Sequence, residues 1–240
     1  MMRSTSFHRL LMCALAFVAN QATALVPPAP KLPADAYFLM DATTGQVLVN
    51  HNGDLSLPPA SLTKIMTSYV LAEEVDAGRA SLDDMIKVSR NAWSQNPIFN
   101  GSSLMWIEPG KPVSLADLER GVVISSGNDA SVAVAEHLAA TESSFVDVMN
   151  QLAAELGLDN TVYRNPHGLP HPEHRTTARD LATLSVALIN GHPEHYKIYK
   201  EQSFTYNGIK QYNRNSLLRS DATVDGLKTV SYTHLTLPTT

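Results

Sequence analysis

Apolar positions repeat at helical spacing through the middle of the chain. The spacing i, i+3, i+4, i+7 and i+8 predicts a helix that begins at Ser61 and stops near Gly78. The apolar residues at these positions are Leu62, Ile65, Met66, Tyr69 and Val70. A later apolar stripe predicts a helix ended by Gly157, made of Phe145, Val148, Met149, Leu152 and Leu156. The helices therefore form a block in the central part of the sequence.

Polar residues mark where further helices begin. Ser114 precedes Asp117 by three residues, and Thr177 precedes Asp180 by the same spacing, which is typical of a capping box at a helix start. The first of these helices is predicted to be interrupted at 126–128 and to resume from residue 129.

Short apolar runs predict strands on both sides of the helices. Residues 36–40 and 46–49 flank a turn, and residues 203–207 and 210–213 flank Gly208, so each pair predicts a hairpin. One more strand is predicted at 224–230. This order predicts a mixed α/β domain whose sheet draws strands from both ends of the chain.

Composition excludes several classes of protein. The 240 residues are 44% hydrophobic and 17% charged, which is typical of a globular domain with a core. The net charge is −5 and no basic run is present, so nothing indicates a nucleic-acid partner.

The first 24 residues have the layout of a secretory signal peptide. A short basic start is followed by the apolar run 10–18 and by the small-residue cleavage site 22–24. The only cysteine, Cys13, would leave with this segment, so thiol catalysis is not expected. We expect export, and no cofactor.

Ser61 and Lys64 are the first residues that indicate a chemistry. They lie three positions apart on a predicted helix, so their side chains share one face. A serine hydroxyl needs a base to become a nucleophile, and a buried lysine with a lowered pKa can be that base. Taken alone, the pair is more often an N-cap serine beside a solvated lysine, since serine is a favoured N-cap and many surface helices contain the spacing by chance.

Two further motifs change this interpretation. Ser126-Gly127-Asn128 follows 65 residues after Ser61, and Lys228-Thr229 follows 102 residues after Ser126. In this order the three motifs resemble those of low-molecular-mass penicillin-binding proteins, which are serine-type D-alanyl-D-alanine carboxypeptidases. The resemblance covers roughly residues 30–229. It implies a β-lactamase/transpeptidase-like domain, in which a helical block flanks an antiparallel sheet.

The resemblance also implies roles for the motif residues. Ser61 would be the nucleophile, Lys64 its base, and Ser126 a proton relay to the leaving D-alanine. Substrate binding would fall to Asn128, Lys228 and Thr229.

Asn128 would contact the peptide amides, and Lys228 and Thr229 would bind the terminal carboxylate. The backbone N–H groups of Ser61 and Ser231 would form the oxyanion hole. The implied partners are peptidoglycan stem peptides ending in D-Ala-D-Ala and β-lactam antibiotics, in the periplasm, with the full-length form peripheral to the inner membrane.

The C-terminal region departs from the family pattern. Val230 stands where the third motif has glycine, and residues 231–240 do not resemble the family and are interpreted as a non-native tail. We therefore expect a signal peptide at 1–24 and a truncated catalytic domain at 25–230. On this interpretation we expect the family's C-terminal strands and membrane-anchoring helix to be missing from the sequence as given.

Two rival functions remain open. A β-lactamase of class A needs a glutamate to activate the deacylating water, and none lies between Gly157 and Pro172. An inactive penicillin-binding fragment is the second rival. A metal site at His171 and His174 is not expected, since zinc needs three or four convergent ligands.

Overall fold

The computed structural model describes residues 31–229. The predicted signal peptide, Val230 and the tail at 231–240 lie outside the described residues, so those predictions stay untested. All elements named below belong to one structural unit, which begins at Ala34.

Helices predominate and the strands are short. In chain order the elements are β1 (Tyr37–Met40), β2 (Val47–His51), α1 (Thr63–Asp76), β3 (Met85–Ile86), β4 (Val113–Ser114), α2 (Leu115–Arg120), α3 (Asn128–Ala139), α4 (Glu142–Glu155), α5 (Ala178–Gly191), α6 (Pro193–Tyr196), β5 (Ser203–Tyr206), β6 (Ile209–Tyr212) and α7 (Leu217–Ser220). Single 3₁₀ turns lie at Ala60–Leu62, Pro97–Phe99 and Lys197–Lys200.

Helix α1 is the centre of the core. Its first ten residues, Thr63 to Ala72, are all buried, because α3, α4 and α5 pack around it. A helix enclosed on all sides must bury its polar residues too, and Lys64 is one of them. The predicted helix is confirmed, but it begins at Thr63, and Ser61 lies in the 3₁₀ turn Ala60–Leu62 just before it.

The predicted interruption of the second helix is confirmed. Ser114 caps α2 by accepting a hydrogen bond from Asp117 N at 3.1 Å. The chain then passes through a π-helical turn, Gly121–Ser125, and reverses at Ser126, whose φ is +61°. Helix α3 starts afresh at Asn128. The second motif therefore occupies a break between two buried helices.

The other two helix predictions are also confirmed. Thr177 caps α5 by accepting from Asp180 N at 3.1 Å. Helix α4 ends at Glu155, and Gly157 follows with a φ of +71° that glycine adopts without steric cost.

Both predicted hairpins form. Strands β1 and β2 pair antiparallel from Tyr37 opposite His51. Strands β5 and β6 join through a two-residue turn, Asn207 and Gly208, which both have positive φ values of 48° and 75°. Such a turn matches the twist of the two strands, so the hairpin is locally encoded.

The mixed α/β class is confirmed, but the strands of the two ends do not join. Within residues 31–229, β1–β2, β3–β4 and β5–β6 are three separate two-stranded antiparallel sheets.

The strand predicted at 224–230 is wrong for the residues described, since 224–229 form no strand. Its backbone groups bond elsewhere: Val224 N donates to Asp221 O at 3.3 Å, and Gly226 O accepts from the Asn215 side chain at 3.0 Å. An apolar run indicates a strand only where a partner strand supplies the ladder.

Candidate active site

Ser61 is half-buried in the turn that leads into α1. Its neighbour Ala60 has a φ of +47°. Gly168 lies so close to this turn that a Cβ on it would stand 1.8 Å from Ala60 O. The loop around residue 168 therefore packs directly on the turn that carries the serine.

Lys64 lies in the first turn of α1 and is fully buried. Its Nζ donates to Asn128 Oδ1 and to the backbone carbonyl of His167, both at 2.6 Å. Burial holds the pKa of Lys64 well below its usual value, and the positive charges of Lys228 and Arg214 lower it further. Burial therefore favours the neutral form of this amine.

Ser126 reaches the site through the break between α2 and α3. The break is held by Gly127 N, which donates to Gly121 O at 2.9 Å. Among the described residues, Ser126 Oγ is buried and has no hydrogen-bond partner. A buried hydroxyl without a partner is costly, so this oxygen is ready to bond to a ligand.

Asp129, just after the break, binds the backbone of residues 105–107. Its carboxylate accepts from the backbone N–H groups of Met105 and Trp106 at 2.8 Å and of Ile107 at 3.2 Å. Asn128 N donates to Ser103 O at 2.8 Å in the same region. Asn128, whose side chain bonds Lys64, is thus also held in place through its backbone N–H.

Lys228 supplies a second amine near the first. Burial and then the charge of Arg214 lower its pKa to about 7. Since Lys228 also lowers the pKa of Lys64, the two amines lie within electrostatic reach of one another. Thr229 follows directly, and its carbonyl accepts from Lys228 Nζ at 3.2 Å.

The structure joins the first two motifs by a hydrogen bond and relates the third to them through charge. Lys64 of the first motif bonds Asn128 of the second, and Lys228 of the third acts on Lys64 through its charge. Ser61 and Ser126 enter the same region through their places in the chain, three residues before Lys64 and two before Asn128.

Three contributors were not predicted from the sequence as parts of the site. The His167 acceptor is a backbone carbonyl, which side-chain identity does not reveal. Asp129 follows the second motif directly, so its position in sequence was the one available signal. The positive charge of Arg214 lowers the pKa of both Lys64 and Lys228.

His171 and His174 do not act as a pair. His174 is buried, and its Nε2 lies 2.9 Å from Thr63 Oγ1, whereas His171 is exposed. In residues 31–229 no group of three His, Cys, Asp or Glu side chains could hold a metal ion. In the same part of the chain no helix has the length and hydropathy needed to cross a bilayer.

The nearest glutamate to the rival β-lactamase position points elsewhere. Glu173 is exposed and accepts from Arg164 Nε at 3.0 Å. Its carboxylate is therefore paired with an arginine at the protein surface.

Solved structures identify the class of protein. Penicillin-binding protein 6B from Escherichia coli superposes with a TM-score of 0.82 at 47% identity, covering 86% of this chain and 66% of that one. Penicillin-binding protein D2 from Listeria monocytogenes, solved in a cefotaxime-bound form, superposes with a TM-score of 0.74 at 29% identity, covering 84% and 81%. The fold is that of the penicillin-binding proteins.

The sequence comparisons narrow the class to a family. The chain belongs to the D-alanyl-D-alanine carboxypeptidase family, Peptidase_S11, whose sequence model matches residues 21–235. D-alanyl-D-alanine carboxypeptidase DacC of Escherichia coli is 49% identical over 216 residues, covering 89% of this chain and 53% of DacC. The chain thus spans about half the length of that relative.

Proposed function

We propose that this chain carries the catalytic site of a serine-type D-alanyl-D-alanine carboxypeptidase. Ser61 is the nucleophile and Lys64 the general base. The observation that carries the proposal is the fully buried Lys64 amine, which bonds Asn128 and the His167 carbonyl.

The hydrogen bonds of Lys64 support its role as a base. A neutral amine has two N–H groups and one lone pair. Asn128 Oδ1 and His167 O each accept one N–H at 2.6 Å, so the lone pair remains to take the proton of the Ser61 hydroxyl. Burial supports the same role, because it favours the neutral amine.

The reaction follows from this arrangement. Ser61 Oγ forms a bond to the carbonyl carbon between the two terminal D-alanines, and its proton passes to Lys64. Ser126, with no partner of its own among residues 31–229, relays that proton to the leaving nitrogen. The C–N bond then breaks, D-alanine departs, and water hydrolyses the Ser61 ester to restore the hydroxyl.

Substrate selection rests on the cationic side of the site. Lys228 in its charged form, with the Thr229 hydroxyl, binds the terminal carboxylate of the peptide. Asn128 bonds the peptide amides, and the backbone N–H group of Ser61 helps to hold the oxyanion. A cation that binds the terminal carboxylate beside the nucleophile restricts cleavage to the last peptide bond.

Partners and location complete the proposal. The substrate is a peptidoglycan stem pentapeptide, and β-lactams acylate the same serine. The DacC relative bears the name of this activity, and the Listeria monocytogenes protein was solved with cefotaxime bound. Export to the periplasm rests on the predicted signal peptide.

Release of free D-alanine tests the activity directly. The chain is incubated with a stem pentapeptide ending in D-Ala-D-Ala, and with the matching tetrapeptide as control. We expect D-alanine from the pentapeptide alone, and none with Ser61→Ala. Fast nitrocefin hydrolysis without D-alanine release would instead identify a β-lactamase.

A further inference from the structure

A short loop behind the site contacts both proposed catalytic elements. This positioning loop comprises residues 165–169. His167 O accepts from Lys64 Nζ at 2.6 Å, and Pro166 O accepts from Thr67 Oγ1 at 2.6 Å. Gly168 packs on the Ala60 carbonyl. One loop thus touches the turn of Ser61 and two successive turns of α1.

Asn165 fixes the shape of this loop from within. Its Oδ1 accepts from Gly168 N at 2.6 Å and from His167 N at 3.3 Å. Its Nδ2 donates to Leu169 O at 3.0 Å. Three backbone groups on three consecutive residues therefore depend on one side chain, and the carbonyl that bonds Lys64 belongs to the first of these residues.

The His167 ring is locked by the same segment. Its Nδ1 accepts from Leu169 N at 3.1 Å, so the ring proton belongs on Nε2, which lies 3.7 Å from Glu142 Oε2. Burial, followed by the charge of Lys64, holds the pKa of His167 well below its usual value. The ring is neutral, so the loop presents a backbone dipole to Lys64, with no added positive charge.

We infer that Asn165 is a positioning residue for the reaction, which holds the His167 carbonyl so that the Lys64 lone pair is directed at Ser61. The inference rests on the proposed function of Lys64. If the loop relaxes, the carbonyl turns away, one N–H of the amine loses its acceptor, and water reaches Nζ. The amine then regains both its rotational freedom and its proton.

The charges around Lys64 set the direction of the expected change. Lys228 and Arg214 lower the pKa of Lys64, Asp129 raises it, and His167 is neutral. None of these residues changes when Asn165 is replaced. Hydration of the amine is the altered factor, and it raises the pKa.

The chain offers a matched control in Asn150. This half-buried asparagine also makes three bonds to backbone groups: it accepts from Tyr163 N at 2.9 Å and donates to Val146 O and Tyr163 O. None of these three bonds is made to the positioning loop or to Lys64. Asn150→Ala therefore removes as many hydrogen bonds as Asn165→Ala, and it leaves the three bonds that Asn165 makes to the positioning loop in place.

The experiment combines an NMR titration with an acylation assay. Lysine side chains of the full chain are labelled with ¹³C at Cε, and the Lys64 signal is assigned by its loss in Lys64→Met. We expect the Lys64 midpoint to move to higher pH in Asn165→Ala and to stay unchanged in Asn150→Ala. Acylation of Ser61 by a penicillin falls about tenfold to a hundredfold in Asn165→Ala, as misplaced reacting groups do. Asn165→Ser, whose hydroxyl can accept a nearby backbone N–H, recovers part of the loss.

The two hypotheses fail in different ways. An unchanged Lys64 midpoint in Asn165→Ala overturns the positioning role, even if the variant is less stable. Absence of a Ser61 adduct in the parent chain, with the midpoint shift present, leaves the positioning of Lys64 standing and overturns the proposed function.

Discussion

At the scale of single residues, the proposed site depends on two amines, Lys64 and Lys228, whose pKa values are lowered by burial. Lys64 is enclosed by α1, Asn128 and the His167 carbonyl, and its pKa is far below the usual value because solvent is excluded. Lys228 is buried less completely, and its pKa is about 7. The first amine is suited to accept a proton, whereas the second can still carry a charge near neutral pH.

Replacement of Lys64 tests its role as a base. Lys64→Met keeps the length and buries an apolar chain, so the protein is expected to fold. Loss of the base lowers the rate of Ser61 acylation by about 10²–10⁴-fold. Fluorescent penicillin labelling measures the rate, with Lys210→Met, an exposed lysine on β6, as the control. A rate in Lys64→Met equal to that of the control contradicts the assignment.

The pH dependence of substrate binding tests Lys228. As pH rises through about 7, the free protein loses the positive charge of Lys228, so the KM for a peptide with a terminal carboxylate is expected to increase. Arginine stays charged throughout this range. In Lys228→Arg the KM should therefore remain level from pH 6 to about 9. An increase of the same size in both proteins would remove Lys228 from carboxylate binding.

At the scale of elements, the site is assembled where regular structure stops. Ser61 lies in the turn before α1, Ser126 in the break between α2 and α3, and Lys228 beyond the last helix. The positioning loop at 165–169 closes this assembly from behind. Its contact with the turn of Ser61 needs a residue without a side chain at Gly168.

Alanine at position 168 probes that contact. Gly168 has a φ of +89°, and a Cβ would stand 1.8 Å from Ala60 O, a backbone atom that cannot rotate away. Gly168→Ala is expected to cost about 1 kcal/mol for the positive φ and about 1–3 kcal/mol more for the overlap. Acylation of Ser61 should also slow, because the turn is displaced.

Gly157 provides the matched comparison for this variant. It has a φ of +71° with nothing within 4 Å of the added Cβ. Gly157→Ala therefore carries the backbone strain alone and leaves the site untouched. Thermal unfolding and penicillin labelling of both variants separate the two effects. Equal stabilities and equal acylation rates would mean that Gly168 does not set the position of Ser61.

Element boundaries were largely predictable because local chemistry encodes them. The capping pairs Ser114–Asp117 and Thr177–Asp180 form as predicted, and the predicted hairpin around Gly208 forms as well. The strand at 224–230 was not predictable in this way, because a strand depends on a partner that its own residues do not specify.

Only part of the candidate site could be predicted from the sequence. The motif side chains could be read from the sequence, and the structure joins Lys64 to Asn128. The His167 carbonyl and its support by Asn165 depend on how a loop folds against a distant helix. Spacing within the sequence carries no signal for a backbone acceptor.

At the scale of the whole molecule, the buried helix α1 places Lys64 against residues from distant parts of the chain, Asn128 and His167. The chain belongs to the D-alanyl-D-alanine carboxypeptidase family and spans about half the length of DacC. The central claim is that the chain as given arranges the three motifs so that Ser61 can be acylated.

Intact-protein mass spectrometry after incubation with benzylpenicillin tests that claim most directly. The account predicts a mass increase of one penicillin per chain, which peptide mapping assigns to Ser61 and which is absent in Ser61→Ala. A folded chain that stays unmodified, or that carries the adduct on another residue, would contradict it.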